Sequence, residues 1–360
     1  MSLCRFTCTL LMLALLTSPL TLFSMPRDQM IIKESIVYPT EEDFDCHSSS
    51  LVEISPGVLC AAWKGGPGKG QSNVDMKQNV GIWLSFFKDG EWNGPKQIVG
   101  VPDSVCWTPV LMKHPNGELL LFYRVGPDPR RAASMCKRSF DNGETWGKEE
   151  LMPAGIIGPT RSKPLIDSEG KMICGSSVEV GEPDDEYKAT ACWVETYSDH
   201  QWSKSGPIEI PGKRFGCIEP VLFWDIHGTL KLVCRDRSNR IKSEGWVWMA
   251  ESEDGGKSWS ALRKTDLPNP DSGIEVVMLG DNRILMLYNH SHTKRYPLSM
   301  AISKDGGNSW SRLCDLEEKC GEFPSAIVDS QGHLHVTYAW TATGKTQRQV
   351  KHIIVDLDLV

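Results

Sequence analysis

The chain has no Cys-x-x-Cys pair and no His-rich zinc spacing, so no structural metal or metal cofactor is expected. Runs of Lys or Arg are also missing. The 39 basic residues are scattered among 46 acidic ones, for a formal net charge of −7. That balance argues against a general nucleic-acid partner and confines any basic site to a local cluster. Nor is there a clear membrane span, which needs about 20 apolar residues. The apolar run Leu10–Leu16 sits in MSLCRFTCTLLMLALLTSPLTLFS behind one early Arg. It reads as a signal peptide over residues 1–24, implying a secreted, periplasmic or organelle-lumen location; an uncleaved anchor, or a start at Met25 or Met30, is the alternative. Composition gives no sign of disorder, with 40% hydrophobic and 24% charged residues.

Cysteine is not scarce, at 12 residues, but it is not arranged as a disulfide scaffold. Cys4 and Cys8 fall in the leader, and the others are dispersed, many within apolar runs such as VLCAAW and KLVCRD. They read as small hydrophobes in strands. Cys314 and Cys320 are the most plausible pair if any forms.

What the chain does contain is repetition. SFDNGETW (139–146), SEDGGKSW (252–259) and SKDGGNSW (303–310) share Ser-x-Asp-x-Gly-x-Ser/Thr-Trp, and SFFKDGEW (85–92) and YSDHQW (197–202) are degenerate copies. The tryptophans Trp92, Trp146, Trp202, Trp259 and Trp310 are separated by 54, 56, 57 and 51 residues. Six apolar–turn–apolar segments go with them, at 50–66, 109–126, 164–179, 220–237, 276–292 and 325–340. Hairpins at this period predict the four-stranded blades of an all-β, six-bladed β-propeller over residues 30–360, with the box at the turn between third and fourth strands. The last unit is short. MIIKESIVYP (30–39) alternates like a strand and is expected to supply its outer edge, closing the ring without an exposed edge. The box carboxylates serve the turn itself, not catalysis.

Gly hairpins and boxes then share one face, and chemistry belongs on the other. Second strands end there in Trp63 and Lys64, Arg124, Glu179, Arg235 and Arg237, Asn289 and His290, and Tyr338 and Trp340. The segments leading into first strands carry His47, Trp107, Arg161 and Lys163, Glu219, Asp271 with Glu275, and Glu322. Radial packing aims both sets at the axis. Arginine forks, aromatic planes and a few carboxylates suit an acidic sugar; mutual neutralisation inside a channel is the bland alternative. Asn289-His290-Ser291 matches a glycosylation sequon, which its place at the channel mouth discounts.

Repeated Asp-boxes on such a frame resemble the sialidase (neuraminidase) superfamily over about residues 30–360. Motifs such as CHSSSLVE, AAWKGG, PTRSKP and YNHS are most similar to its bacterial and plant sialidase-like BNR-repeat branch. The resemblance implies an Arg triad for the substrate carboxylate, a Tyr nucleophile assisted by Glu, and an Asp acid/base. CIEPVL places Glu219 as the assisting carboxylate, LKLVCRDR gives Arg235 or Arg237 as the second Arg, and RYPLS gives Arg295 as the third. Asp75 is the one Asp of the loop GGPGKGQSNVDMKQN. The chain departs from the pattern twice. The Arg-Ile-Pro segment is replaced by FDCHSSSLVEI with His47, and Phe323 stands where the Tyr is expected. Phenylalanine cannot attack an anomeric carbon; Tyr288, Tyr338 or Glu322 could substitute.

The leading expectation is a monomeric, cofactor-free glycoside hydrolase of exo-α-sialidase type, removing a sialic acid or other acidic sugar from a glycan or glycoconjugate. Asp75, Glu219, Glu322 and Tyr338 are its catalytic candidates. His47, Lys64, Trp107, Arg124, Arg161, Lys163, Arg235, Arg237, Asn289, His290 and Arg295 are its binding candidates. The alternatives are a glycan-binding propeller without turnover and a protein-interaction propeller.

Overall fold

In every repeat two apolar runs flank a turn rich in Gly, Asp or Asn, so the local solution is an antiparallel hairpin with one set of side chains on each face. A computed structural model describes residues 26–38, 44–67, 79–180, 189–212, 216–237 and 244–360. The signal-peptide segment and Asp75 lie outside the described residues. After β1 (Ile31–Tyr38), the first blade consists of β2 (Phe44–Ser55), β3 (Val58–Pro67), β4 (Gly81–Lys88) and β5 (Glu91–Trp92), with β6 (Lys96–Val99) beside β4. The second runs β7 (Cys106–Lys113), β8 (Leu119–Val125), β9 (Ala133–Ser139), β10 (Glu150–Leu151). The third is β11 (Leu165–Ile166), β12 (Met172–Val180), β13 (Ala189–Ser198), β14 (Gln201–Lys204). The fourth is β15 (Cys217–Trp224), β16 (Leu230–Asp236), β17 (Trp246–Ser252), β18 (Arg263–Pro268). The fifth is β19 (Glu275–Met278), β20 (Ile284–Asn289), β21 (Leu298–Ser303), β22 (Ser311–Glu317). The sixth is β23 (Gly321–Val328), β24 (Leu334–Thr341) and β25 (Arg348–Val355). Six antiparallel sheets thus form a six-bladed propeller.

The sixth blade is completed by β1, which pairs antiparallel with β25 from Ile31↔Val355 to Tyr38↔Val350. The two ends of the chain therefore share one sheet, and the edge of β25 is covered. The core lies between blades. Leu285, Leu287 and Met300 of the fifth pack on Leu334, Val336 and Ile353 of the sixth, all with essentially no exposure. Burial of each such side chain is worth about 1.5–3 kcal/mol. Side-chain hydroxyls near the axis add polar stitches between blades: Ser50 accepts from the Leu111 amide at 2.9 Å, Ser177 from Glu219 at 3.0 Å and Ser325 from Leu51 at 3.2 Å.

The boxes fall between third and fourth strands, as the repeat predicts. In the fourth blade Ser252 Oγ donates to Asp254 and accepts from the Gly256 amide, both at 2.8 Å, while Ser258 N donates to Asp254 Oδ1 at 2.9 Å. Trp259 Nε1 closes the turn on the Gly256 carbonyl at 3.1 Å. No disulfide joins the cysteines of the described residues, all buried except Cys320, so the Cys314–Cys320 pair does not form. They fill strand positions as small apolar groups.

Gly256 sits at φ +90°, and a Cβ there would meet Leu230 at 3.2 Å. Gly256→Ala should therefore lower stability by about 1–3 kcal/mol in a denaturant titration, while the far-UV spectrum stays that of the wild type.

Candidate functional site

The site is built by a repeated backbone irregularity. Ser48, Thr108, Glu219 and Phe323, within the first residues of an innermost strand, and Asp271, just before one, all have positive φ, between 30° and 61°. Register shifts accompany four of them, between His47 and Ser50, Trp107 and Val110, Ile218 and Val221, and Glu322 and Ser325. A bulge at this point breaks the ladder and re-aims a side chain. Pro109, Pro220 and Pro324 follow three of the five, where no ladder donor is needed. In the fifth blade the Asn269 side chain bonds the Ser272 amide at 3.1 Å and its carbonyl at 2.9 Å, fixing the turn that presents Asp271.

Phe323 is the hub. The guanidinium carbons of Arg235 and Arg295 each lie 5.2 Å from its ring centre, that of Arg161 lies at 5.5 Å, and the His47 ring is 4.5 Å away centre to centre. These residues come from the first, third, fourth, fifth and sixth blades, so the axis gathers what the sequence disperses. Arg161 also donates from Nη2 to the Pro324 carbonyl, and its buried Nε has no partner among the described residues. Gly273 makes the approach possible, because a Cβ there would stand 2.7 Å from Arg161 Nε and 2.8 Å from Phe323.

Carboxylates hold the arginines in place. Arg235 donates from Nε to Asp271 and from Nη1 to Glu219, both at 2.8 Å. Arg237 spans Asp271 at 2.7 Å and Glu179 at 3.0 Å. Arg295, 32% exposed, reaches Glu322 at 3.0 Å. Burial alone would raise the Glu322 carboxyl, but the His47 hydrogen bond and the charges of Arg295 and Arg348 outweigh it and hold it well below the usual range. Glu322 is thus an anion at neutral pH and a poor proton donor. Glu219 differs in geometry: Oε1 is engaged by Arg235, whereas Oε2 is buried with no hydrogen-bond partner among the described residues.

Lys64, buried beside this cluster, places its ammonium 4.5 Å over the Trp107 ring. Desolvation, followed by the charge of Arg348, lowers it to about 7. Burial and the same Arg348 charge keep His47 neutral by pushing it well below its ordinary value. Trp107 spends Nε1 on the Gly126 carbonyl at 2.8 Å, so it is a platform for Lys64. Arg124, opposite Trp107 in the β7–β8 ladder, donates to the Pro129 carbonyl at 3.4 Å; burial lowers its pKa against the pull of Glu179 and Glu219. Lys163 bridges Glu275 at 3.0 Å and Ser325 at 3.1 Å, tying the third blade to the fifth and sixth.

Three candidates are not brought to this group. Tyr338 is fully buried between the fifth and sixth blades, donating its hydroxyl to Glu317 at 3.0 Å. Desolvation first, then the Glu317 charge, raises it well above a normal phenol. His290 lies 2.6 Å from the hydroxyl of buried Tyr288. Asn289 is buried, donating to Gly321 O at 2.7 Å and Pro297 O at 3.2 Å, which leaves its amide unavailable to substrate or to a glycosyl group. Tyr338 is taken up by the packing of the fifth blade on the sixth, and Asn289 and His290 by hydrogen bonds of their own. Conversely, Arg348 at the start of β25 belongs to the cluster. It clamps buried Asp45 through Nε at 3.1 and 3.2 Å and reaches Glu322 at 3.4 Å. Its signal in the sequence is slight, an Arg opening the apolar stretch RQVKHIIV, because the Asp45 it meets lies in a strand that is not its ladder partner.

Lys64 ties this geometry to pH. Its folded value is depressed below the ordinary lysine range, so the cost of charging it is complete below about pH 7 and vanishes above about pH 10.5. Lys64→Met should raise the melting temperature relative to wild type most near pH 6.5, with the difference shrinking toward pH 10.

A family profile described as a BNR repeat-like domain matches residues 57–336. No curated protein matches the sequence. Among solved structures, a protein of unknown function from Dyadobacter fermentans superposes with a TM-score of 0.73 at 18% identity, covering 91% of this chain and 98% of that one. A Hadza microbial sialidase gives 0.68 at 18%, covering 88% and 66%. The Trypanosoma rangeli sialidase gives 0.68 at 12%, covering 91% and 60%. The chain thus spans about two thirds or less of these two sialidase chains. Among the described residues no helix is long and apolar enough to cross a membrane.

Proposed function

Because the chain belongs to the BNR repeat-like domain family and has a sialidase-like propeller, we propose that it is a glycoside hydrolase that removes a sialic acid or another acidic sugar from the end of a glycan. The observation that carries this reading is the convergence of Arg161, Arg235 and Arg295 within 5.5 Å of one ring centre, beside Glu219 with its unpartnered buried oxygen. Guanidinium groups suit the substrate carboxylate and, in a partly desolvated pocket, stabilise it more than water would. Phe323 provides no nucleophile, and Tyr338 and Tyr288 are buried elsewhere. Glu219 Oε2 therefore activates a water molecule, and Asp75 protonates the leaving oxygen. Glu322, held as an anion, positions Arg295 and does not transfer protons. Export to a secreted or lumenal compartment would bring the protein to such glycans.

One observation favours a second reading. Arg235, Arg237 and Arg295 are already paired with carboxylates, as a propeller that binds a glycan without turning it over could tolerate.

Fluorogenic sialosides and uronides should be cleaved, with a loss of about 10²–10⁴-fold in Glu219→Gln, the range for removal of a general acid/base. Phe323→Tyr should raise sialoside turnover, since the three arginines would favour a phenolate. A folded wild type inactive on both substrate classes contradicts hydrolysis. If it still binds acidic glycans, and Arg295→Ala weakens that binding, the second reading stands.

A further inference from the structure

On the box side of the sixth blade the hairpin between β23 and β24 differs in one respect from the matching turns of the third and fourth blades. In the third blade Asp167 Oδ1 caps the amides of Glu169 and Lys171 at 3.0 and 2.9 Å, and Oδ2 is met by the Lys171 ammonium at 3.2 Å. In the fourth, Asp225 Oδ1 caps His227 and Thr229 at 2.8 and 2.9 Å, and Oδ2 is met by Lys231 at 3.2 Å. The same turn therefore holds a cation against the same oxygen, from either the fourth or the sixth residue after the Asp. In the sixth blade Asp329 Oδ1 again caps two amides, Gln331 at 2.9 Å and His333 at 2.8 Å. Both lysine positions are now imidazoles: His335 Nε2 lies 2.9 Å and His333 Nδ1 3.6 Å from Asp329 Oδ2.

We propose that this turn binds a divalent transition-metal ion, of the zinc or nickel class, through Asp329 Oδ2, His333 Nδ1 and His335 Nε2. One donor atom from each residue lies within 4.8 Å of the others. Ligands about 2.0–2.1 Å from a metal stand roughly 2.9–3.4 Å apart in octahedral or tetrahedral geometry, so small side-chain adjustments close the site. It opens onto a cavity of about 660 Å³ that also contacts Phe87 and Asp89, leaving room for water or a further ligand. The nearby Lys33 ammonium does not fill the place, being engaged by the Gly90 carbonyl and by Glu91 at 2.7 Å. Imidazole donors select zinc, nickel or copper over magnesium and calcium.

A hydrogen-bond chain behind His335 governs the affinity. An indole nitrogen can only donate, so Trp92 Nε1, 3.2 Å from His352 Nδ1, makes that atom an acceptor. His352 Nε2–H must then donate to His335 Nδ1 at 3.0 Å, and His335 Nε2–H to Asp329. A metal on His335 Nε2 reverses the chain. The Nε2 proton leaves, His335 Nδ1–H donates to His352 Nε2, and His352 Nδ1 takes up a proton that it donates to Ser35 Oγ, 3.3 Å away. The proton count is unchanged, but the Trp92 indole loses its acceptor. Trp92 thus opposes the metal-bound tautomer.

Calorimetric titration of the chelator-treated full chain with zinc chloride near pH 7.5 tests this, with calcium chloride as comparison. One equivalent of zinc and no calcium should bind. His333→Ala, which alters a 40% exposed side chain, should weaken zinc binding by at least about tenfold, and Trp92→Phe should strengthen it severalfold. No zinc binding by wild type, or unchanged affinity in His333→Ala, overturns the site. Unchanged affinity in Trp92→Phe overturns the coupling to the histidine chain. Melting temperatures of the variants separate both results from loss of fold.

Discussion

The structure depends on a left-handed residue placed near the start of the innermost strand in five of the six blades. A regular strand there would send alternate side chains into the flanking blades and leave the axis lined by backbone. The bulge breaks the register where Glu219 and Phe323 take up positive φ, and Asp271 does so in the turn held by Asn269. Such conformations cost about 1–3 kcal/mol each for non-glycine residues. The return on that strain is a shared centre for groups separated by hundreds of residues. Gly273 completes the arrangement by letting Arg161 and Phe323 approach closer than any side chain would permit.

That centre is charged, and its charges are arranged so that burial is survivable. Taking a guanidinium or carboxylate out of water costs several kcal/mol unless paired and hydrogen-bonded. Here Asp271 serves Arg235 and Arg237, Glu322 serves Arg295 and Arg348, and Asp45 anchors Arg348. Cross-axis ties such as Lys163 to Glu275 lock blades together while doing the same work. Such a network is pre-organised, and a carboxylate ligand can compete for partly exposed Arg295 without uncovering a bare buried charge.

The repeat was the readable part. Box spacing, hairpin turns and the early strand that closes the last blade follow from local patterns of Gly, Asp, Ser and Trp, which act over a few residues. Arg235 and Glu219 could be anticipated because each lies at a position the propeller sends toward the axis, whereas Arg295 was reached only through the resemblance of RYPLS to the family's third arginine segment. Tyr338 went astray because which side chains of a strand pack on the neighbouring blade depends on register, a property of two strands together, and His290 because its partner is the Tyr288 hydroxyl two residues before it. Arg348 was hidden for a related reason: it opens a third strand, and its partner Asp45 lies 303 residues away. The imidazole pair of the sixth blade stood in plain view as His-x-His, yet acquires meaning only beside lysines at the matching turns.

The central claim is that the arginine cage around Phe323 receives the carboxylate of an acidic sugar. A crystal structure of the protein soaked with free sialic acid, or with glucuronic acid, tests it most directly. The sugar carboxylate should lie within hydrogen-bonding distance of Arg295 and one of Arg161 or Arg235, with Glu219 Oε2 facing the ring or a water beside it. A sugar bound away from the axis, or an axial site that stays empty with the pairs Arg235–Glu219 and Arg295–Glu322 closed, would contradict the account.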